Sequence, residues 1–250
     1  MKSYVPQQII FDLDDTLIHC NKYFNLTLGA FYELMQEWFC DYNITIDEVR
    51  SKQIEIDVSG VNIFGFASQH FPQSLIDTYV FFSKKVHRAI DQDEQAQLQK
   101  LGMSVYEQEV EAYPGMVETL ELLRDQGHTL HLYTGGEHMI QQRKIDQMKL
   151  GEYFDDRIYI TKHKNIEALE AIISKGNFDR SVTWMIGNSL RTDIEPAISA
   201  GIHAIYIEQD VEWQYNVIQL NKPDNYSLYT IKKLVDVPDV IQGYLSGLQN

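Results

Sequence analysis

Asp12 and Asp14 stand two residues apart at the end of a short apolar run, Gln8 to Leu13 (QIIFDL). In an extended chain, residues i and i+2 point to the same face. Two carboxylates at close range need a cation between them, and hard oxygen ligands select magnesium. Alone, an Asp-rich turn after a strand is often only an Asx-turn or a helix N-cap, so the pair acquires meaning from its company. Three further hydrophobic runs end in polar groups. Thr134, Gly135 and Gly136 follow LHLY, Lys162 and Lys164 follow Arg157 to Ile160, and Asn188-Ser189-Leu190-Arg191-Thr192-Asp193 follows Val182 to Gly187. If each run is a strand of one parallel sheet, all four groups arrive at its carboxyl edge, where such sheets bind ligands.

The patterning around these residues supports that sheet. After Tyr113-Pro114-Gly115, helical periodicity over Val117 to Gln126 ends at Gly127 and a strand follows at Thr129 to Tyr133. The rhythm continues through a helix from Glu137 to Met148, the Arg157 to Ile160 strand and a helix from Asn165 to Lys175. The Val182 to Ile186 strand, a helix from Asp193 to Ala200 closed by Gly201 and a strand at His203 to Ile207 complete it. Strands alternating with helices imply a right-handed, parallel, doubly wound sheet. The tail from Tyr226 to Leu245 reads as one more strand and the helix VPDVIQGYL.

Between residues 20 and 110 no strand pattern is evident. Leu28, Phe31, Leu34, Met35 and Trp38 recur at helical spacing within Asn25 to Asp41. Asp47 to Glu55 and Gln73 to Ile90 also read as helices, separated by the loop VSGVNIFGFASQHF, and polar, Gln- and Glu-rich sequence runs from Asp91 to Gln99. The expected organisation is therefore an α/β core of residues 1–18 and 112–250, interrupted by an all-helical domain of residues 19–111.

The chain has 250 residues, enough for a full core, and carries 36 acidic against 21 basic residues for a formal charge of -15. The mean field opposes nucleic acid, so an anionic ligand must be met by local charge. Cys20 and Cys40 are too few for a disulfide framework and point to a reducing compartment. MKSYVPQQII, broken soon after by Asp12 and Asp14, suits neither a secretory signal nor a membrane span, so the expected location is the cytoplasm. The eight histidines lack the paired spacing of a zinc site.

Asp12-Leu13-Asp14-Asp15-Thr16 resembles the Asp-x-Asp-x-Thr motif of the haloacid dehalogenase-like superfamily, in its phosphatase branch. Thr134 closing the second strand, a later lysine and the loop Gly187-Asn188-Ser189-Leu190-Arg191-Thr192-Asp193 extend the resemblance across the core. The resemblance implies a Rossmann-like fold with a helical type 1 cap, a magnesium cofactor held by Asp12, Asp14 and Asp193, and a small phosphorylated substrate. Asp12 would be the nucleophile, forming an aspartyl phosphate. Asp14 would be the general acid and then the base. Thr134, Gly135, a lysine and Asn188 would hold the phosphoryl oxygens. Lys164 is preferred to Lys162 because it directly precedes the helix starting near Asn165. Asn188 departs from the commoner Gly-Asp start of this loop and brings no charge to the metal. Asp15 reads as a solvated turn residue, Arg191 as a surface arginine, and His19 as a packing or pocket residue.

The same resemblance frames the rivals. A haloacid dehalogenase or a phosphonate-cleaving enzyme would lack the acid at Asp14. A phosphomutase keeps both aspartates and differs in excluding water, and a non-catalytic binding module on the same fold is the remaining class. Substrate choice is expected to come from the helical insertion, with Asn21, Lys22, Tyr23, Phe64, Gly65 and Phe66 near its rim. Neither the substrate nor the oligomeric state is written in these motifs.

Overall fold

A computed structural model describes residues 5–220 and 227–248. Met1 to Tyr4 of the N-terminal stretch and Tyr226 at the start of the tail lie outside the described residues. The chain divides into two compact units: the residues through His19 together with those from Val110 onward, and Cys20–Glu109.

The first unit is a six-stranded, wholly parallel sheet covered on both faces by helices. Its strands are β1 (Gln8–Phe11), β2 (Thr129–Gly135), β3 (Ile158–Thr161), β4 (Thr183–Gly187), β5 (His203–Ile207) and β6 (Leu228–Ile231), in the order β3-β2-β1-β4-β5-β6. The winding reverses at β1, which pairs with β2 on one side and β4 on the other. That reversal opens a crevice outside the carboxyl ends of the strands, and Asp12 is the first residue beyond β1. Its backbone N–H continues the ladder by donating to the Ile186 carbonyl at 2.9 Å.

Strand alternation builds two separate core layers. Ile9, Phe11, Leu130, Leu132, Trp184 and Ile186 pack on one face. They meet Met116, Leu120 and Leu123 of α5 (Met116–Asp125) and Val237, Ile241 and Leu245 near the C-terminus. Ile10, Tyr133, Met185 and Ala204 face the other way, toward Leu169, Ile172 and Ile173. Burial on both sides explains why the strands read as continuous apolar runs. Between β2 and β6 lie α6 (His138–Gln147), the single turn α7 (Gly151–Phe154), α8 (Ile166–Gly176) and α9 (Glu195–Ser199), and α10 (Val237–Gly247) follows β6.

The second unit consists, among the described residues, of helices α1 (Asn21–Trp38), α2 (Ile46–Phe64), α3 (His70–Lys85) and α4 (Gln92–Met103) with a 3-10 turn at Ser104–Glu107. Its own core joins Phe31 and Met35 of α1, Val49 of α2, Leu75, Tyr79 and Phe82 of α3, and Leu98 of α4. Two elements differ from the sequence expectation. The segment Val58 to Phe64, expected as loop, continues α2. Asp57, Gly60 and Val61 form a buried i, i+3, i+4 face. Gly60 admits the His70 ring, since a Cβ there would lie 1.9 Å from His70 Cε1. The polar stretch after Asp91 is α4, whose first turn is capped by the Asp91 carboxylate accepting from the Asp93 and Glu94 amides. Arg88 holds this turn through a two-pronged pair with Glu94, 2.6 Å on each arm.

Candidate active site

The four strand ends do converge. At the end of β1 the chain turns sharply. Asp15 sits at φ 60 and its N–H donates to the Ile18 carbonyl at 2.7 Å, so a tight turn carries Asp12, Asp14 and Thr16. Asp12 is buried, at 6% exposure. Its Oδ2 accepts from the Thr16 hydroxyl at 2.9 Å and its Oδ1 from Lys164 Nζ at 2.5 Å. The same ammonium reaches Asp193 Oδ1 and lies 5.0 Å from the centre of the Tyr133 ring. Lys164 immediately precedes Asn165, whose side chain caps α8 by accepting from the Ala168 amide at 3.0 Å. That cap anchors the loop, and Lys164 is buried whereas Lys162 is exposed.

Asp193 arrives from the loop after β4, which does not pass straight into a helix. A π-helical turn, Leu190–Ile194, precedes α9. The Ser189 hydroxyl accepts from the Thr192 amide at 3.1 Å, and Asp193 Oδ2 accepts from the Ser189 amide at 2.9 Å. The carboxylate therefore folds back against Gly187, where a Cβ would lie 2.2 Å from Asp193 Oδ2. Gly187→Ala is expected to displace Asp193 and to lower stability by about 1–3 kcal/mol through overpacking, measured by thermal denaturation. Unchanged stability with Asp193 in place would show that this edge has room to spare.

Asn188 is buried, and its amide oxygen accepts weakly from the Thr16 hydroxyl at 3.5 Å. Thr134 is buried at the end of β2, with Gly135 half-exposed beside it. Asp14 faces α6: its Oδ1 accepts from Lys144 Nζ at 2.7 Å and its Oδ2 from Gln141 Nε2 at 2.9 Å.

Charge and burial compete at this edge. Burial pushes the Asp12 carboxyl up to about 7; the Lys164 ammonium opposes that rise, and the nearby Asp193 and Asp14 carboxylates add to it. Burial by itself would lower the Lys164 ammonium, but Asp12 and Asp193 outweigh it and hold the lysine above its ordinary value. One ammonium thus serves two buried carboxylates, leaving local negative charge that further positive charge would offset. Among the described residues no group of three or more His, Cys, Asp or Glu side chains is placed to hold a metal ion. Asp12 and Asp193 turn to Lys164, and Asp14 turns to α6.

Two neighbours, Asp15 and Arg191, differ from their sequence reading, and a third, His19, has a packing role. Asp15 occupies the expected turn but is buried, not solvated. Arg191 is half-buried, its Nε donating to the Tyr215 carbonyl at 2.5 Å and its guanidinium lying over the Tyr215 ring. His19 stacks on Tyr113 with ring centres 4.1 Å apart. Several residues absent from the sequence reading support the edge. Gln141 and Lys144 sit three apart on α6, a spacing that puts both on one helix face, and this was the available signal. Asn216 accepts from the Ser189 hydroxyl at 2.9 Å. Gln209 donates to the Asp15 carbonyl at 3.1 Å and accepts from the Tyr113 hydroxyl at 2.8 Å. Nothing in the irregular segment after β5 marks these last two.

A doubly wound parallel sheet with acids, a threonine and a lysine at its switch-point edge makes this a Rossmann-like α/β protein. The family model of the haloacid dehalogenase-like hydrolases matches residues 7–201, and the chain belongs to that family. Over 96 residues, 37% of this chain, it is 31% identical to a phosphoglycolate phosphatase from Aliivibrio fischeri (strain ATCC 700601 / ES114), and the match spans 42% of that relative. Among solved structures, a haloacid dehalogenase-like family hydrolase from Xanthomonas campestris aligns with a TM-score of 0.77 at 20% identity, covering 98% of each chain. The HAD-hydrolase YfnB from Bacillus subtilis, bound to magnesium, aligns with a TM-score of 0.64 at 19% identity, covering 96% of this chain and all of that one. Solved 2-haloacid dehalogenases share the fold as well, so at these identities the likeness speaks for the fold alone.

Proposed function

We propose that this hydrolase is a magnesium-dependent phosphatase of small phosphorylated metabolites, working through an aspartyl phosphate on Asp12. The observation that carries the reading is the Lys164 ammonium joined to both Asp12 and Asp193 at the switch-point edge, with Thr134 and Asp14 beside them. That arrangement has a nucleophile and the positive charge to stabilise a phosphoryl group in transfer. Asp14 is the feature that favours phosphate over halide chemistry, because an alkoxide leaving group needs a proton and a halide does not. The partial match to a phosphoglycolate phosphatase points the same way.

In this reading Asp12 attacks phosphorus while Asp14 protonates the departing oxygen, and Asp14 then takes a proton from the water that cleaves the acyl phosphate. Thr134, the backbone at Gly135, Asn188 and Lys164 hold the phosphoryl oxygens. The donor set fits magnesium chemically: the Asp12 and Asp193 carboxylates and the Asp14 backbone carbonyl offer hard oxygens, and the two carboxylates sharing one ammonium leave negative charge to be met. Bound there, the ion would supply charge neutralisation and orientation of the phosphoryl group. We assign substrate choice to the helical unit Cys20–Glu109. Cytoplasmic residence is supported by the two free cysteines, Cys20 and Cys40; no described helix is long and apolar enough to cross a membrane.

A panel of phosphorylated metabolites and p-nitrophenyl phosphate, assayed with magnesium and again in excess chelator, tests the function. Phosphate release that disappears on chelation and returns with magnesium is the expected result. Full activity in chelator, or metal-independent halide release from a 2-haloacid, would overturn the reading.

A further inference from the structure

Gln141 is the buried polar residue of α6, at 2% exposure, and a buried amide without partners would be costly. Its Nε2 donates in two directions, to Asp14 Oδ2 at 2.9 Å and to Thr134 Oγ1 at 2.5 Å. One amide group therefore ties the end of β1 to the end of β2. One turn further along the helix, Lys144 Nζ donates to the other oxygen of Asp14 at 2.7 Å. The turn entering α6 is shaped to admit this side chain. Gly136 has φ +146, and a Cβ there would stand 3.0 Å from Gln141 Cγ. Helix α6 thus presents two donors, three residues apart, to the two oxygens of one carboxyl group.

A carboxyl group held at both oxygens has a fixed plane. We propose that Gln141 and Lys144 are positioning residues for Asp14. They orient its carboxyl relative to Thr134, so that the proton is delivered to the leaving oxygen of a phosphoryl group held by that threonine. The inference rests on the phosphatase reading and deepens it. In the step concerned, the bond from Asp12 Oδ to phosphorus forms and the bond from phosphorus to the leaving oxygen breaks. The proton on Asp14 passes to that oxygen, giving a neutral alcohol. Orientation matters most where the leaving oxygen is strongly basic and matters little for p-nitrophenolate, which departs unprotonated.

The test compares kcat/KM, which reads only through formation of the phosphoenzyme, for p-nitrophenyl phosphate and a simple alkyl phosphate with magnesium present. Gln141→Met keeps length and removes the donor. It should lower kcat/KM for the alkyl ester at least about 10-fold more than for p-nitrophenyl phosphate. Lys144→Met, at a partly exposed site, should shift the same ratio in the same direction, and Lys144→Arg should restore it. Asp14→Asn, measured in parallel, should show the largest selective loss, and adding Gln141→Met to it should bring no further selectivity. Equal losses on both substrates in Gln141→Met and Lys144→Met, with Asp14→Asn still selective, would overturn the positioning role while leaving the phosphatase reading intact. An unselective Asp14→Asn would overturn the acid role and the positioning role together. If Gln141→Met does not fold, the Lys144 pair of variants decides the matter by the same ratio.

Discussion

Asp12→Asn is expected to lower kcat/KM by about 1,000-fold or more while the protein stays folded. The substitution keeps the shape of the side chain and removes the nucleophilic oxygen, so the acyl phosphate cannot form. The fold should tolerate it because burial already works against the Asp12 charge. In the metal-free protein the folded carboxyl is raised to about 7 from 3.8. A raised folded pKa means that protonation favours the native state, and stability is lost as pH climbs from about 4 through 7. A neutral Asn escapes that loss. Thermal denaturation in chelator at pH 8 should therefore place the variant's midpoint at or above that of the parent. Substantial residual turnover would sink the nucleophile assignment, and a clearly lower midpoint would show that the Lys164 pairing outweighs the desolvation of Asp12.

Lys164→Ala should be the second crippling change, with Lys162→Ala mild. Lys164 Nζ is 2.5 Å from Asp12 Oδ1, also touches Asp193, and has only 3% of its side chain exposed. Removing it leaves two buried carboxylates facing each other without a cation. Breaking a buried pair in this way costs roughly 3–5 kcal/mol, and losing a preorganised charge stabiliser typically costs about 10²–10³ in rate. The expected result is a loss of kcat of that order together with a lower thermal midpoint, part of which magnesium should restore by supplying positive charge to the same acids. Lys162, exposed in the same loop, should leave both quantities near their starting values. The opposite ranking in steady-state kinetics would move the catalytic lysine and leave the family membership untouched.

Much of this protein was determined by local sequence. The runs at β1, β2, β4 and β5 are apolar on both faces because helices cover both faces, and that makes them legible without neighbours. β1, β2 and β4 end in polar groups and β3 runs into the loop of Lys164, so alternation of strand and helix suffices to send Asp12, Thr134, Lys164 and Asp193 to one edge. Capping chemistry is equally local, and the Asn165 cap explains how the loop carrying Lys164 is anchored.

What escaped was decided by contacts far apart in the chain. The α4 segment has almost no apolar face, and it forms a helix because Asp91 caps it and Leu98 and Gly102 pack against the rest of the helical unit. The end of α2 looked like loop because of Gly60, yet that glycine is there for the ring of His70 from the next helix. Asp15 resembles any solvated turn residue until Gln209, 194 positions later, donates to its carbonyl. Asp14 is the clearest case. Its identity and placement are read from five consecutive residues. Its partners, Gln141 and Lys144, lie 127 and 130 positions away on a helix that only the parallel crossover brings alongside. Spacing along one strand or helix sets which side chains share a face. Only the packing of α6 against the sheet decides which donors those acids meet, because that choice depends on distances between elements that no local pattern encodes.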